Sequence, residues 1–318
     1  MTLSSFSEDI SKVGWDEHID YLINDHKIIP SKKNLYLSLK REISEKTEGV
    51  NFGVLLSGGV DSSIIAKICK DLGREFRCFC VGISGSKDIF HARKVSDYFS
   101  LDLVVKEYSL GEVELLLKEV IDVLPIPAIK EDNYIEYIVK LTVSAVNLGS
   151  MRLGTERLFL SGIGAEELFA GYERHSKAVK GGGTWRGIRI GDLKDESISG
   201  LKRMYNLVFE RDKLISSHIS KSLLAPYLAD DVIIQAMNMG NYQKIDSLSN
   251  KKILRNIALD LGIPKEFSNR KKKGAQYGSG FDKAILRLAK VNGFKFKKRY
   301  IESLISCLLY TSDAADEG

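Results

Sequence analysis

The segment at residues 52–63 constrains the fold more than any other part of the chain, and it reads Phe-Gly-Val-Leu-Leu-Ser-Gly-Gly-Val-Asp-Ser-Ser. An apolar run stops at a serine and two glycines, and apolar residues at helical spacing follow. This order predicts a buried strand, a tight turn and a helix N-terminus, whose free N–H groups and positive dipole end attract anions. Glycine lets the backbone approach such an anion closely. The segment therefore predicts a phosphate site at Ser57, Gly58, Gly59, Asp61 and Ser62.

This turn differs from a Walker A loop, because no Gly-Lys-Ser/Thr sequence follows the glycines. A plain glycine turn between a strand and a helix is the alternative reading. The hydroxyl groups and the carboxylate that follow the glycines favour the phosphate site, since a carboxylate at that position could hold a metal ion on the same phosphates.

Composition indicates a globular chain with a mild positive charge. The 318 residues are 44% hydrophobic and 28% charged, with a net charge of +5 that suits a polyanionic ligand. No apolar run approaches the ~20 residues that cross a bilayer, and residues 1–6 lack the features of a secretion signal. The four cysteines include no Cys-x-x-Cys pair, which argues against a disulfide scaffold or a zinc site. We expect a cytoplasmic location.

Apolar periodicity predicts four strands that alternate with helices in the first half of the chain. The strands are expected at 52–56, 76–83, 102–108 and 158–160, and the helices between them at 62–72, 91–98, 112–124 and 132–148. Such alternation indicates an α/β fold, a mostly parallel sheet flanked by helices, with ligands bound at the carboxyl ends of its strands.

The rest of the chain suggests three further parts. Residues 1–48 are predicted to be a helical lead-in, 49–178 the α/β core, and 179–306 a mainly helical part. The glycines at 181–183 indicate a mobile loop or a linker. Residues 307–318 bear no relation to the preceding pattern and resemble the translation of a sequencing-library adapter, so we expect an artefactual tail; a frayed natural tail is the alternative.

A second segment, residues 158–172, repeats the order of strand, glycine turn and helix start, and reads Leu-Phe-Leu-Ser-Gly-Ile-Gly-Ala-Glu-Glu-Leu-Phe-Ala-Gly-Tyr. Glu166 and Glu167 fall in its first helical turn, where the helix dipole favours carboxylates. The first segment resembles the PP-loop of ATP pyrophosphatases. The second resembles the Ser-Gly-Glu-Gly-Ala-Asp-Glu-Leu-Phe-Gly-Gly-Tyr block of the asparagine synthetase family, whose synthetase domain is a PP-loop fold.

Weaker similarities to this family extend the match to about residues 50–290. Val81-Gly82 and the helix after it resemble the second strand and helix of the family, and Lys251–Arg255 matches its Lys-x-Ile-Leu-Arg helix start. The segment 272–279 resembles its closing basic segment. The overall pattern is most similar to asparagine synthetase domain-containing relatives without a glutaminase domain.

The resemblance implies an AMP-forming amide ligase that uses ATP and Mg²⁺. It would adenylate a carboxylate, aspartate by default, and ammonia would then displace AMP. The positions that match the family imply ATP and pyrophosphate contacts at Leu56, Ser57, Gly58, Gly59, Asp61, Ser62, Val81, Gly162 and Lys273. They also imply Mg²⁺ ligands at Asp61 and Glu166, and catalytic roles for Lys251 and Glu167. The cluster Arg270–Lys273 could serve the departing pyrophosphate or be a solvated basic loop.

Three departures from the family pattern bear on the second half of the reaction. Ile163 stands where the family has a glutamate often assigned to the ammonia step, and an isoleucine cannot transfer a proton. The segment Leu224–Leu228 lacks the arginine that precedes Pro-Phe-Leu-Asp in true synthetases. The glutaminase half would need a cysteine at the mature N-terminus, and Thr2 follows Met1. Ammonia would therefore come from solution or from a separate amidotransferase partner.

Two alternatives remain at this point. One is a PP-loop ligase with a different acceptor, either another small carboxylate or a modified RNA base. The other is a non-catalytic ATP-binding module in a complex. We expect no membrane partner. The chain carries no basic stripe interleaved with aromatic residues, which argues against a nucleic-acid partner.

Overall fold

A computed structural model of the chain describes residues 3–6, 9–125, 134–179, 183–185, 188–246, 249–270 and 273–316. Its strands are β1 (Phe52–Leu55), β2 (Arg77–Gly82), β3 (Leu103–Glu107), β4 (Leu158–Leu160), β5 (Gly183–Trp185), β6 (Ile188–Ile190) and β7 (Ser222–Leu224). Five of them form a central parallel sheet with the strand order β3-β2-β1-β4-β7. A separate antiparallel pair joins β5 to β6.

Helices cover the sheet and form most of the remaining described chain. They are α1 (Lys12–Asn24), α2 (Lys32–Thr47), α3 (Val60–Asp71), α4 (Lys87–Phe99), α5 (Leu110–Val123), α6 (Tyr134–Arg152), α7 (Ala165–Leu168), α8 (Glu173–Val179), α9 (Leu193–Met204), α10 (Glu210–His218), α11 (Asp230–Asn238), α12 (Asn241–Lys244), α13 (Lys252–Asp260), α14 (Lys265–Ser268), α15 (Ala275–Gly278), α16 (Phe281–Val291) and α17 (Lys297–Asp316). A π-helix (Tyr205–Phe209) joins α9 to α10 without a break, and a 3₁₀ helix spans Pro226–Leu228.

The order of the strands places the two glycine turns side by side. The chain leaves β1 through α3 to pair β2 on one side, and it later returns to pair β4 on the other side of β1. The register joins Phe52 to Leu158 and Val54 to Leu160, so both strands end at the same edge of the sheet. Such a switch point opens a crevice at the carboxyl ends of the strands, where ligands of α/β proteins bind.

The predicted α/β fold is confirmed, and the four predicted strands lie within two residues of their observed bounds. Two elements of the second half were missed. The segment before Ala225 forms β7 beside β4, although a helical region was expected there. A three-residue strand carries too little periodicity to be recognised without its neighbour. Gly183 begins β5 and pairs with Ile190, so it belongs to a hairpin and not to a linker; residues 181 and 182 lie outside the described residues.

The lead-in packs into the main core. Trp15 is fully buried, donates its indole N–H to the carbonyl of Leu201 at 2.9 Å, and packs its ring 5.1 Å from that of Phe209. Buried apolar residues from Leu3 to Ile305 form one continuous cluster. The division into 1–48, 49–178 and 179–306 therefore describes the order of the chain within a shared core, and the boundaries stay predictions.

The segment expected to be an artefact continues α17 as far as Asp316, and residues 317 and 318 lie outside the described part. Its origin stays a prediction. Within the described residues, no helix has both the length and the apolar character that a bilayer span requires.

Candidate active site

The first glycine turn is held against the start of the neighbouring helix α4. Gly58 has a φ of +68°, and a Cβ built there would lie 2.5 Å from the carbonyl carbon of His91 and 2.7 Å from the backbone nitrogen of Ala92. Only glycine satisfies both conditions. The hydroxyl of Ser62 accepts a hydrogen bond from the backbone N–H of Ser57 at 3.3 Å and closes the loop from within. The turn thus has a fixed backbone at the N-terminus of α3, as a phosphate site requires.

The second turn lies beside the first at the carboxyl end of β4. A Cβ at Gly162 would come within 3.0 Å of the Cβ of Asp61, so this glycine allows the two turns to touch. Gly164 has a φ of +91° and begins α7, which carries Glu166 and Glu167 in its only turn. The two segments that the sequence separates by about a hundred residues therefore form one site.

Lys251 joins the two turns through its ammonium group. Its Nζ lies 2.7 Å from Oδ2 of Asp61 and 2.6 Å from Oε1 of Glu166. Gly171 makes room for this arrangement, because a Cβ there would lie 1.7 Å from Oε2 of Glu166 and 2.6 Å from Cε of Lys251. The backbone N–H of Lys251 also donates to the carbonyl of Phe169 at 3.1 Å. The lysine is therefore held from both its backbone and its side chain.

Burial makes this cluster strongly electrostatic. Lys251 is 3% exposed and Asp61 is 1% exposed. Burial by itself lowers the pKa of Lys251, but the attraction of Asp61 and Glu166 outweighs it and leaves the pKa above its ordinary value. The lysine therefore stays protonated and neutralises part of the charge of the two carboxylates.

The same carboxylates suit a hard divalent cation. Oδ1 of Asp61 is buried and has no hydrogen-bond partner in the described part of the chain. Magnesium is often bound by one or two carboxylates together with the phosphates of a substrate. Asp61 and Glu166 fit that requirement, although no group of three or more potential metal ligands occurs among the described residues.

Glu167 forms a second polar cluster on the wall of the site. It is 7% exposed and accepts a hydrogen bond from the Tyr172 hydroxyl at 2.6 Å. Burial raises its pKa above the ordinary value, and the hydrogen bond offsets only part of that effect. Arg174 lies over the Tyr172 ring at 4.7 Å, and Gly200 in α9 leaves space for both Glu167 and Arg174.

A basic residue from the C-terminal part of the chain contacts the first glycine turn. Arg270 donates to the carbonyl of Ser57 at 2.6 Å and to Oδ1 of Asp88 at 2.6 Å, and both of the paired side chains are buried. It therefore braces the backbone of the phosphate turn. Lys273, by contrast, is exposed, and residues 271 and 272 lie outside the described residues.

An open cavity of about 740 Å³ connects these groups. Eight residues singled out from the sequence line it: Leu56, Ser57, Ser62, Val81, Gly162, Ile163, Glu166 and Glu167. Four others do not line the cavity: Gly58, Gly59, Asp61 and Lys251. Asp61 and Lys251 are buried behind it, and the ammonium group of Lys251 joins Asp61 to the lining residue Glu166. The segment Leu224–Leu228 is absent from its walls among the described residues, and Tyr227 instead donates its hydroxyl to the carbonyl of Asp61 at 3.0 Å.

Sequence reasoning missed several residues of this site. Tyr172 was part of the second motif, but nothing in its position indicated the hydrogen bond to Glu167. Asp88 lies in the helix after Val81-Gly82, and its pairing with Arg270 joins segments far apart in sequence. The cavity wall formed by α9, the π-helix and α10 gave no signal, because an amphipathic helix shows an apolar face whether that face meets a core or a ligand.

A parallel sheet with a glycine turn before a helix and converging carboxylates at its switch point defines an α/β protein of the PP-loop type. The sequence matches the asparagine synthase family over residues 39–221, which is more than half of the chain. The chain belongs to the asparagine synthase family.

Curated relatives agree with this assignment. The "Putative asparagine synthetase (glutamine-hydrolyzing) 1" of Methanocaldococcus jannaschii is 28% identical over 322 residues, which cover 86% of this chain and 54% of the relative. The "Asparagine synthetase (glutamine-hydrolyzing) 2" of Lotus japonicus is 31% identical over 147 residues, covering 41% of this chain and 23% of the relative. The chain thus spans about half the length of the first relative.

Among solved structures, the NH3-dependent NAD synthetase from Campylobacter jejuni shares 19% identity, with a TM-score of 0.31 over 57% of this chain and 76% of that chain.

Proposed function

We propose that this protein is an ATP-dependent amide ligase of the asparagine synthetase type. In the reaction, a carboxylate oxygen of the acid attacks the α-phosphorus of ATP, and pyrophosphate leaves. Ammonia then attacks the acyl carbon, AMP leaves, and the nitrogen loses a proton to give the amide. The observation that carries the proposal is the junction of both family motifs through Lys251, Asp61 and Glu166 at the switch point of the sheet.

The phosphate turn would bind the part of ATP that departs. Ser57, Gly58, Gly59 and Ser62 supply hydroxyl and backbone N–H groups at the start of α3, and Lys251 supplies a protonated ammonium group. Such preorganised donors stabilise charge that develops on phosphate oxygens. Leu56, Val81 and Gly162 would contact the nucleotide, and Lys273 is proposed to reach the pyrophosphate from the exposed rim.

Asp61 and Glu166 would hold Mg²⁺ on the phosphates. A bound Mg²⁺ would neutralise phosphate charge and orient the leaving group. The unpartnered Oδ1 of Asp61 supports this assignment, since a buried carboxylate oxygen without a partner is costly unless a ligand completes it.

Glu167 is the proposed catalytic carboxylate of the acceptor half of the site. It lines the same cavity as Ile163, and Ile163 itself carries no group that could receive a proton from the nitrogen nucleophile. Ammonia is the proposed nucleophile, taken from solution or delivered by a separate amidotransferase. Aspartate is the default acid for the family, and a cytoplasmic setting suits these substrates.

Pyrophosphate release measured with ATP, Mg²⁺ and single acids, with and without ammonia, tests the proposal. We expect release that depends on an acid and an amide product that depends on ammonia. If the protein binds ATP but no acid stimulates release, it acts as a nucleotide-binding module and the ligase proposal fails. If an Ile163→Glu variant forms an amide from ammonia and the native protein does not, the native protein transfers its acyl group to an acceptor other than ammonia.

A further inference from the structure

One wall of the cavity is helical, and its side chains indicate what kind of acid the site accepts. The inference from this wall rests on the proposed ligase function. The helix that runs without a break from α9 through the π-helix to α10 turns one stripe of side chains toward the cavity. Residues three or four positions apart on a helix share a face. The stripe consists of Gly200, Arg203, Met204, Leu207, Val208 and Arg211.

The π-helix fixes the orientation of this stripe. The rings of Tyr205 and Phe209 lie 6.0 Å and 5.1 Å from that of Trp15, so the opposite face of the helix is anchored in the core. Leu207 and Val208 remain half-buried on the cavity side. Short π-helical insertions occur often at functional sites, because one extra residue in a turn redirects the side chains around it.

The stripe lies at the end of the cavity away from the proposed nucleotide contacts. Val81 lines the cavity from β2, on one side of β1, whereas α10 packs against β7 on the other side. The acid must reach between these ends to place its carboxylate near Glu166. Ile163 and Met204 line the same cavity and give the body of the acid an aliphatic surface there. Charged side chains line it as well, among them Arg203.

The polar groups at one end of the stripe already satisfy one another. Arg211 donates to both carboxylate oxygens of Asp212 at 2.7 Å, and the Asn147 side-chain amide donates to Asp212 at 3.0 Å. Asp212 is fully buried. This internal pairing occupies the Arg211 guanidinium and the Asn147 amide, two groups that could otherwise bind the α-carboxylate of an amino acid.

We infer that the acid used by this enzyme has an apolar body of several carbons, longer than the single methylene of aspartate, which packs along Met204, Leu207 and Val208. The free energy of binding then becomes more favourable with each methylene group that is buried against this wall. The enzyme would then select among acids by the length of the apolar body.

A series of unbranched acids from butyrate to octanoate, compared with aspartate, tests the inference in the pyrophosphate-release assay with ATP, Mg²⁺ and ammonia. We expect kcat/KM to rise about fourfold per methylene, from the free energy of burying one CH₂ group, until the chain fills the cavity. If aspartate gives a higher kcat/KM than every acid of the series, the inference is wrong and the ligase function stands. If no acid stimulates release, the ligase function fails and the inference fails with it.

Substitutions locate the effect on the stripe. Leu207→Gln places an amide on the wall, and Leu214→Gln makes the same change at an exposed position of α10. We expect Leu207→Gln to raise KM for the preferred acid about tenfold, a loss of nearly two methylenes of burial, and to leave KM for ATP unchanged. Val208→Thr, which changes only one methyl group, should raise the KM for the acid in the same direction with an unchanged melting temperature. Equal effects of Leu207→Gln and Leu214→Gln, or a parallel rise in KM for ATP, would overturn the inference.

Discussion

The ammonium group of Lys251 lies 2.7 Å from Oδ2 of Asp61, and both side chains are almost completely removed from water. The backbone of Lys251 adopts a φ of +53°, a left-handed conformation that costs a residue with a side chain about 1–2 kcal/mol. Strain of this kind persists where the surrounding structure imposes it, often at functional sites. A buried charge pair held at such a cost also contributes little net stability. The position of Lys251 is therefore best explained by its chemistry.

Replacing Asp61 with asparagine should remove catalysis with little change in shape. Asp61→Asn keeps the size of the side chain but removes the charge that balances Lys251 and that would hold the metal. We expect the rate of pyrophosphate release to fall at least about 10³-fold, and binding of Mn²⁺ in the presence of ATP, measured by electron paramagnetic resonance, to weaken. Asp71→Asn at the other end of α3 is the matched control, because Asp71 pairs with Lys67 away from the site. Full activity of Asp61→Asn would disprove the metal assignment.

Removing the Lys251 ammonium group should strengthen metal binding and slow catalysis. In Lys251→Met, Asp61 and Glu166 would face each other without a counter-charge. We therefore expect Mn²⁺ to bind more tightly in the absence of nucleotide, while pyrophosphate release falls about 10²-fold. Titration calorimetry without ATP measures the first effect, and the release assay measures the second.

Lys252 offers the control for that experiment. It is the next residue in the chain, and it pairs with Asp246 at 3.1 Å on the surface. Lys252→Met should change neither metal affinity nor rate by more than about twofold. If Lys251→Met weakens nucleotide-free Mn²⁺ binding, the lysine does not compete with the metal for these carboxylates.

The phosphate turn makes a prediction about glycine. Gly58 and Gly73 have nearly the same φ, +68° and +67°, but only Gly58 meets other atoms where a Cβ would stand. Gly73→Ala should therefore cost only the conformational strain, about 1–2 kcal/mol. Gly58→Ala should cost clearly more in urea unfolding and should also weaken ATP binding, because the backbone of α4 blocks the new methyl group. Equal costs for the two variants would show that the turn can shift away from α4.

Much of the fold could be predicted because its signals are local. The strand β1, its glycine turn and the start of α3 lie within twelve residues, and each carries its own apolar spacing or turn chemistry. The pairing of Glu166 with Lys251 could not be predicted from local signals. The two residues were assigned separate roles from family positions, and only the path of the chain through Gly171 brings their side chains into contact.

The acceptor half of the site could not be predicted, for a physical reason. Leu207 and Val208 follow the helical spacing of an ordinary core helix, and the sequence gives no sign that they border a cavity. The bidentate pair of Arg211 with Asp212 joins adjacent residues, yet its functional meaning depends on Asn147 from α6. Contacts between distant segments shape this part of the cavity, and periodicity does not record them.

Outside the site, Lys244 should make stability depend on pH. It is 3% exposed, and burial, aided by the charge of Lys194, lowers its pKa from 10.5 to about 7. Between these two values the unfolded chain binds a proton that the folded chain lacks, so stability should rise with pH across this window. Below the folded pKa both states are protonated, and the penalty for burying the charge is complete and constant.

Replacing this lysine should therefore stabilise the protein most at neutral and lower pH. Lys244→Met keeps most of the length of the side chain and removes the charge, and we expect a gain on the order of 2–4 kcal/mol near pH 7 that shrinks toward pH 10. Urea unfolding at about pH 6.5 and about pH 9.5 would measure it. Lys33→Met, at an exposed position of α2, should show no such trend. A gain that stays the same at both pH values would mean that Lys244 destabilises the fold through packing and not through its charge. A charge effect must change with pH, because this lysine then takes up a proton on unfolding.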